Sequence, residues 1–254
     1  MDLQPIRFSY LRTIGNRSPA HLTALEPEAT TSMESGSAFH GLTLGAQRVI
    51  AYEDGPRRGK AWDAFEAANP DALIVTPTVF AKARAMADAV LAHPIASKAL
   101  EGVREKTISW ECMGLKCRST PDVRGKGFVT ELKQARTADP KWFERDAVKM
   151  AYHAQLQFYT TAIESTSDDK IAHQYIVAVE PEPPYVVQVF EISDRAKEAA
   201  EKLWRLWFER LKVCVSSNDW PPYSHRIEPI DVPDDPSGIV IADESDLDLE
   251  QIAA

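Results

Sequence analysis

The sequence predicts a mixed α/β (α+β) domain: a helical N-terminal part, then a sheet with helices packed on it. Three observations predict it. Apolar residues recur at helical spacing from Thr76 to Leu91, strand-like patterns take over from Val103, and a long helical stretch opening at Asp139-Pro140 separates those strands from two more. With 254 residues, 44% of them hydrophobic, and six Trp, the chain can bury one substantial core. It shows no charged-then-apolar leader and no apolar run near the roughly 18 to 20 residues that cross a bilayer, so a soluble, cytoplasmic protein without a membrane partner is expected.

Taken in order, residues 9–25 read as two short helical pieces, with Ser18-Pro19 supplying the N-cap and first position of the second. Residues 31–47 form a small-residue helix on which Gly36 and His40 lie one turn apart, so the glycine would let another backbone approach beside the imidazole. Arg57-Arg58-Gly59-Lys60 before Trp62 is either a phosphate contact or a solvated basic loop. His93-Pro94 breaks the next helix before a short piece ending at Leu100. Strands follow at residues 103–111, 115–118 and 128–132, expected as one antiparallel meander. The helix from Asp139 runs to about Glu164 and carries Tyr152, Gln155 and Tyr159 as one stripe. Gln155 stands out there, because a buried amide needs partners for two donors and an acceptor. Strands at residues 173–179 and 185–192 and an amphipathic helix at 193–214 complete the compact part.

Cys112, Cys117 and Cys214 are too few for a disulfide framework and lack the spacing of a zinc knuckle or the fourth thiolate of an iron–sulfur cluster, so reduced thiols are expected. The net charge of −9 is unevenly placed. Nine acids and no Lys or Arg lie in residues 227–254, and the other 29 acids match the 29 bases in residues 1–226. One domain at 1–226 and an acidic, disordered tail at 227–254 follow, and a neutral body can still carry a basic groove.

The most informative stretch is GLKCRSTPDVRGKGFVTELK, residues 114–133. The Arg124-Gly125-Lys126-Gly127 segment can make a turn, and period-two alternation sends Glu131 and Lys133 to one face of the strand after it. With the turn near Gly125, Asp122 falls opposite Val129, a diagonal step from Glu131 and within reach of a shared cation. Acid-x-Lys alone is weak, since Asp139/Lys141 and Asp168/Lys170 repeat the spacing, but only Glu131/Lys133 sits on an apolar strand at hairpin distance from an acid. Glu105, in the preceding strand, either joins this site or is an exposed strand carboxylate.

In these motifs the chain resembles the PD-(D/E)xK nuclease superfamily and, within it, the RecE (exonuclease VIII) branch. Gly36-xxx-His40 resembles the family's GxxxH, Glu105-xxx-Ser109-Trp110 the strand preceding the core, Cys117-Arg118 through Pro121-Asp122 its CRxRPD segment, Glu131-Leu132-Lys133 its D/ExK, and Tyr152-His153-Ala154-Gln155-xxx-Tyr159 its YHxQxxxY. Two departures are plain: Ser119-Thr120 widens the gap between Arg118 and Pro121, and Glu131 stands where RecE has aspartate.

The resemblance implies a restriction-endonuclease-like mixed central sheet flanked by helices. It also implies a metal-dependent exodeoxyribonuclease that degrades linear double-stranded DNA from 5′ ends, leaving 3′ overhangs for an annealing protein of the RecT type, and a homo-oligomeric ring. Phosphodiester hydrolysis with hard oxygen ligands selects Mg²⁺, and an imidazole ligand makes Mn²⁺ tolerated. Asp122, Glu131 and His40, with the Leu132 carbonyl, are the expected metal ligands, and Glu105 is an additional acid. Asp122, Glu131 and Lys133 are the expected catalytic residues, Lys133 orienting water. Gln155, Tyr159, Tyr152 and Arg118 would position DNA. A structure-specific endonuclease of the same fold, or an inactive DNA-binding or partner-recruiting module, are the alternatives.

Overall fold

The structure is a computed structural model that describes residues 5–24 and 31–230. The chain divides into two compact units, Met1–Pro221 and Pro222–Ala254. In the second, residues 222–230 form no helix or strand, and the acidic segment from Asp231 onward lies outside the described residues.

The first unit opens with α1 (Phe8–Asn16), a 3-10 turn at Pro19–Leu22, and α2 (Thr31–Leu44). The expected helical N-terminal part is interrupted by β1 (Arg48–Ala51) and β2 (Ala72–Val75), which pair in parallel with α3 (Lys60–Ala68) between them in sequence. Strands of four residues are too short to show a period-two signature, which is why the sequence pattern hid them. Arg57 in the basic loop donates to both carboxylate oxygens of Glu34 and to the Ile74 carbonyl, so it ties α2 to β2 and is not free for phosphate. Then come α4 (Pro77–Ala92), whose Thr76 N-cap accepts from the Val79 N–H at 3.3 Å, and α5 (Ala96–Ala99).

Five strands make the central sheet: β3 (Val103–Arg104), β6 (Val123–Gly125), β7 (Phe128–Gln134), β8 (His173–Val179) and β9 (Val187–Glu191), in that order. β7 and β8 run parallel and the other neighbours antiparallel, so the sheet is mixed. The intervening β4 (Ile108–Cys112) and β5 (Leu115–Ser119) pair with each other as a separate hairpin, which replaces the expected meander. Burial explains the departure. β4 alternates buried Ile108, Trp110 and Cys112 with exposed Ser109 and Glu111, and Trp110 turns inward to place its ring 4.9 Å from Phe158.

The expected long helix from Asp139 is two helices, α6 (Pro140–Lys149) and α7 (Tyr152–Thr166), broken where Ala151 takes a left-handed φ of 56°. Each half buries a different face: Phe143 of α6 stacks on Phe190 of β9 at 4.3 Å, while α7 packs against the final helix α8 (Asp194–Ser217). Helices thus cover both faces of the sheet. α1, α7 and α8 share a core with Val129, Ile176 and Ala178, and α2, α4 and α5 share another with Val123, Leu132, Val177 and Val179. The three cysteines are free and buried, and burial pushes Cys117 up to about 12.

Gly15 marks where α1 meets α8, since a Cβ there would enter the buried ring of Trp207. Gly15→Ala ordinarily favours a helix by about 1 kcal/mol, but overpacking a fixed aromatic costs about 1–3 kcal/mol. A lower Tm by calorimetry is therefore expected for Gly15→Ala. A Tm at or above wild type would show that the α1–α8 contact is looser than described.

Candidate active site

The turn of the β6–β7 hairpin falls on Lys126-Gly127, with Gly127 at φ 81°, while Gly125 pairs with Phe128. This corrects the expected register. Val123 pairs with Thr130, so Asp122 comes opposite Glu131 and not Val129. Period-two alternation then sorts β7. Val129, Glu131 and Lys133 face α7, whereas Thr130 turns away and its hydroxyl donates to the Ala99 carbonyl at 2.7 Å. Both acids are deep, Asp122 with 8% and Glu131 with 4% of its surface exposed.

Glu131 Oε1 accepts from Lys133 Nζ at 3.0 Å and from Gln155 Nε2 at 2.8 Å. The Gln155 amide also donates to the Tyr159 hydroxyl at 3.0 Å, and Lys133 Nζ lies 4.9 Å above the Tyr152 ring. The stripe on α7 is thus the opposite wall of the pair on β7. Glu131 Oε2 and Gln155 Oε1 remain buried without hydrogen-bond partners. Buried polar atoms rarely stay unpaired unless something outside the protein completes them.

Asp122 is held from two other sides. Its Oδ2 accepts from the Leu132 N–H at 2.7 Å, and its Oδ1 lies 3.6 Å from His40 Nδ1 on α2. Glu105 just past β3 joins them: one donor atom from each of His40, Glu105 and Asp122 lies within 4.8 Å of the other two. Glu105 reaches this place through a left-handed φ of 46° and donates its own N–H to the Asp122 carbonyl at 3.0 Å. A side chain in that conformation costs about 1–2 kcal/mol, so the neighbours must hold it there. Gly36 does not do what its spacing suggested, because a Cβ on it would meet no described atom within 4 Å. The tight glycine on α2 is Gly41, against Val49 of β1.

The charges divide the roles of the two acids. Burial pushes Asp122 up, but His40 and Lys133 outweigh it and hold the carboxyl below its ordinary value. Burial and the facing Asp122 together push Glu131 up to about 7 despite Lys133. Burial lowers Lys133 and His40, yet the carboxylates around them raise both. At neutral pH Asp122 is therefore ionised and Lys133 protonated, while Glu131 holds its proton more tightly than an ordinary glutamate. Hard carboxylate oxygens, one imidazole and an unpartnered buried Oε2 suit a divalent cation of the Mg²⁺ or Mn²⁺ type.

Beside this wall lies a polar cavity of about 200 Å³ lined by Arg7, Arg12, Arg118, Thr120, Gln155 and Tyr159 among others. Sequence patterns single out Arg118 but not Arg7 or Arg12. They come together because Ile6 bridges to Cys117: the Ile6 N–H donates to Lys116 and the Arg118 N–H to Ile6, both at 2.8 Å. No short-range pattern encodes that contact.

A mixed sheet between helices, with an acid before one hairpin strand and Glu-x-Lys on the next, defines the PD-(D/E)xK nuclease fold. The chain belongs to the PDDEXK-like domain of unknown function (DUF3799), whose family profile matches residues 15–233. It is similar in fold to a structure from Eubacterium rectale described as "Putative exonuclease", at 14% identity and TM-score 0.64, with 89% of this chain and 90% of that one covered. A structure described as SSO0001 aligns at 17% identity and TM-score 0.31 over 73% of this chain and 86% of that one, which carries no weight for the fold. No curated protein matches. Among the described residues no helix is long and apolar enough to cross a membrane.

Glu131 gives a pH dependence whose sign is fixed. Its folded value of about 7 lies above its ordinary 4.5, so its stabilising contribution is complete below about 4.5 and is lost as pH rises through about 7. In EDTA, Glu131→Gln should match wild-type Tm near about pH 4 and exceed it progressively toward about pH 8. A difference that does not change with pH would show that Glu131 titrates normally.

Proposed function

We propose that the protein is a divalent-metal-dependent deoxyribonuclease acting on linear double-stranded DNA as a 5′-to-3′ exonuclease and leaving 3′ single strands for recombination by annealing. One observation carries the nuclease reading: Asp122 faces Glu131 across one hairpin, with Lys133 bonded to Glu131 and Glu131 Oε2 left unpartnered. Asp122, Glu131 and His40, with the Leu132 carbonyl, would hold Mg²⁺, Mn²⁺ being tolerated; His40 and Asp122 cluster with Glu105, which would add a further acid, while Glu131 lies outside that cluster and would offer its unpartnered Oε2 from the facing strand. Such an ion, when bound, neutralises charge on the scissile phosphate and makes a water more acidic.

The protein's own groups supply the rest. Lys133, protonated and held by Glu131, orients the attacking water and stabilises charge developing on the phosphoryl oxygens. As the water oxygen bonds to phosphorus it gives up one proton to solvent, the bond to the leaving nucleotide oxygen breaks, and that oxygen takes up a proton from solvent. Gln155, fixed by Glu131 and Tyr159, positions the backbone together with Tyr152 and Arg118. The cavity where Arg118 meets Arg7 and Arg12 offers positive charge to a phosphate beside the scissile one. The 5′-to-3′ direction, the RecT-type partner, the ring and the cytoplasmic setting rest on the resemblance to RecE.

Purified protein with Mg²⁺ should destroy linear duplexes and spare covalently closed circles, and labelled duplexes should lose 5′ label first. Closed circles cut as readily would make it an endonuclease. Lys133→Ala should slow cleavage by about 10²–10³-fold. Undiminished cleavage by that variant would remove Lys133 from the chemistry.

A further inference from the structure

Helix α6 connects the strand bearing Lys133 to the helix bearing Gln155, and its outer side is costly as built. Trp142 keeps 48% of its surface exposed, with the Arg145 guanidinium 4.8 Å and Lys141 Nζ 5.8 Å from its ring centre. Lys141, Arg145 and Lys149 recur every four residues and share one stripe, and Trp142 precedes Arg145 and Lys149 by three and seven, beside them. None of these three cations pairs with a carboxylate among the described residues, whereas Lys82, Arg124, Arg136 and Arg205 each do. Of the acids on α6, Asp146 is taken by Arg136, and Glu144 lines a groove on the side of His153 and Phe190.

Like charges one turn apart repel, and a half-exposed indole forgoes burial worth several times a small side chain's. A polyanion with stackable faces removes both costs. The helix is also close to the chemistry: Phe143 on its inner side packs 6.4 Å from the Tyr152 ring that lies under Lys133. Resting on the nuclease reading, we propose that the outer side of α6 binds single-stranded DNA leaving or entering the site, with phosphates on Lys141, Arg145 and Lys149 and a base stacked on Trp142. A single strand is the occupant because only unpaired bases offer their faces to an aromatic ring.

Anisotropy of a labelled oligo(dT) of about 12 nucleotides, titrated with the full chain in EDTA, tests this without cleavage. Trp142→Ala should weaken binding about ten-fold and Trp142→Phe should recover most of it. Arg145→Gln with Lys149→Gln should reduce the slope of log affinity against log salt by about 1.4. A blunt duplex should bind Trp142→Ala as it binds wild type. Unchanged oligo(dT) affinity in a Trp142→Ala protein that keeps wild-type Tm would overturn the proposal, as would equal loss on the duplex or equally effective displacement by polyglutamate. If wild type fails to cleave DNA but the Trp142 dependence holds, the nuclease reading falls and this surface stands. Cleavage with no Trp142 dependence gives the reverse.

Discussion

Two carboxylates facing each other across the β6–β7 hairpin, both almost out of water, are the constraint that the rest of the first unit answers. Left alone, Asp122 and Glu131 could not both ionise there, because burial penalises each charge and the Asp122 carboxylate raises Glu131 further. Each neighbouring element meets part of that demand. Helix α2 brings His40 to Asp122, β7 itself supplies the Leu132 N–H, and the next residue of β7 supplies Lys133. α7 adds the Gln155 amide. Removing a cation from such a buried set leaves an uncompensated carboxylate, which costs about 3–5 kcal/mol.

The compensation is uneven, and the unevenness gives the site its chemistry. Asp122 accepts from the Leu132 N–H beside His40 and the Lys133 charge and stays ionised, whereas Glu131 keeps one oxygen unpartnered and holds its proton more tightly than an ordinary glutamate. Glu105 adds a third acid in a backbone conformation that side chains avoid. Such an arrangement raises the energy of the empty protein and lowers it when positive charge arrives. Helix α6 shows the opposite sign, with cations and an indole left in water where a polyanion would complete them.

How much of this was legible depended on the range of the interaction. Glu131 and Lys133 sharing a face follows from period two, and Gln155 and Tyr159 sharing a helix stripe follows from period 3.6, so both were readable. The hairpin itself was readable, but its register was not: Gly125 and Gly127 both permit a turn, and the choice of Gly127 moves Asp122 by two positions along its partner strand. Asp139-Pro140 marked a helix start correctly, while nothing local marked Ala151 as its break, since alanine favours continuing a helix. The sequence leaves Glu105 open between a further acid at the site and an exposed strand carboxylate, because a left-handed residue has no signature unless it is glycine or asparagine.

By itself the sequence determined the class of fold, the periodic faces of β7 and α7, and the types of residue that could hold a divalent cation. Periodicity is a local property, written into neighbours two to four apart. Tertiary structure alone decided that β4 and β5 leave the central sheet, that Arg7 and Arg12 meet Arg118, and that His40 and Glu105 meet at Asp122. Those meetings join segments 17 to 111 residues apart in number. They arise from which faces the two cores bury, a competition among long-range contacts that no window along the chain records.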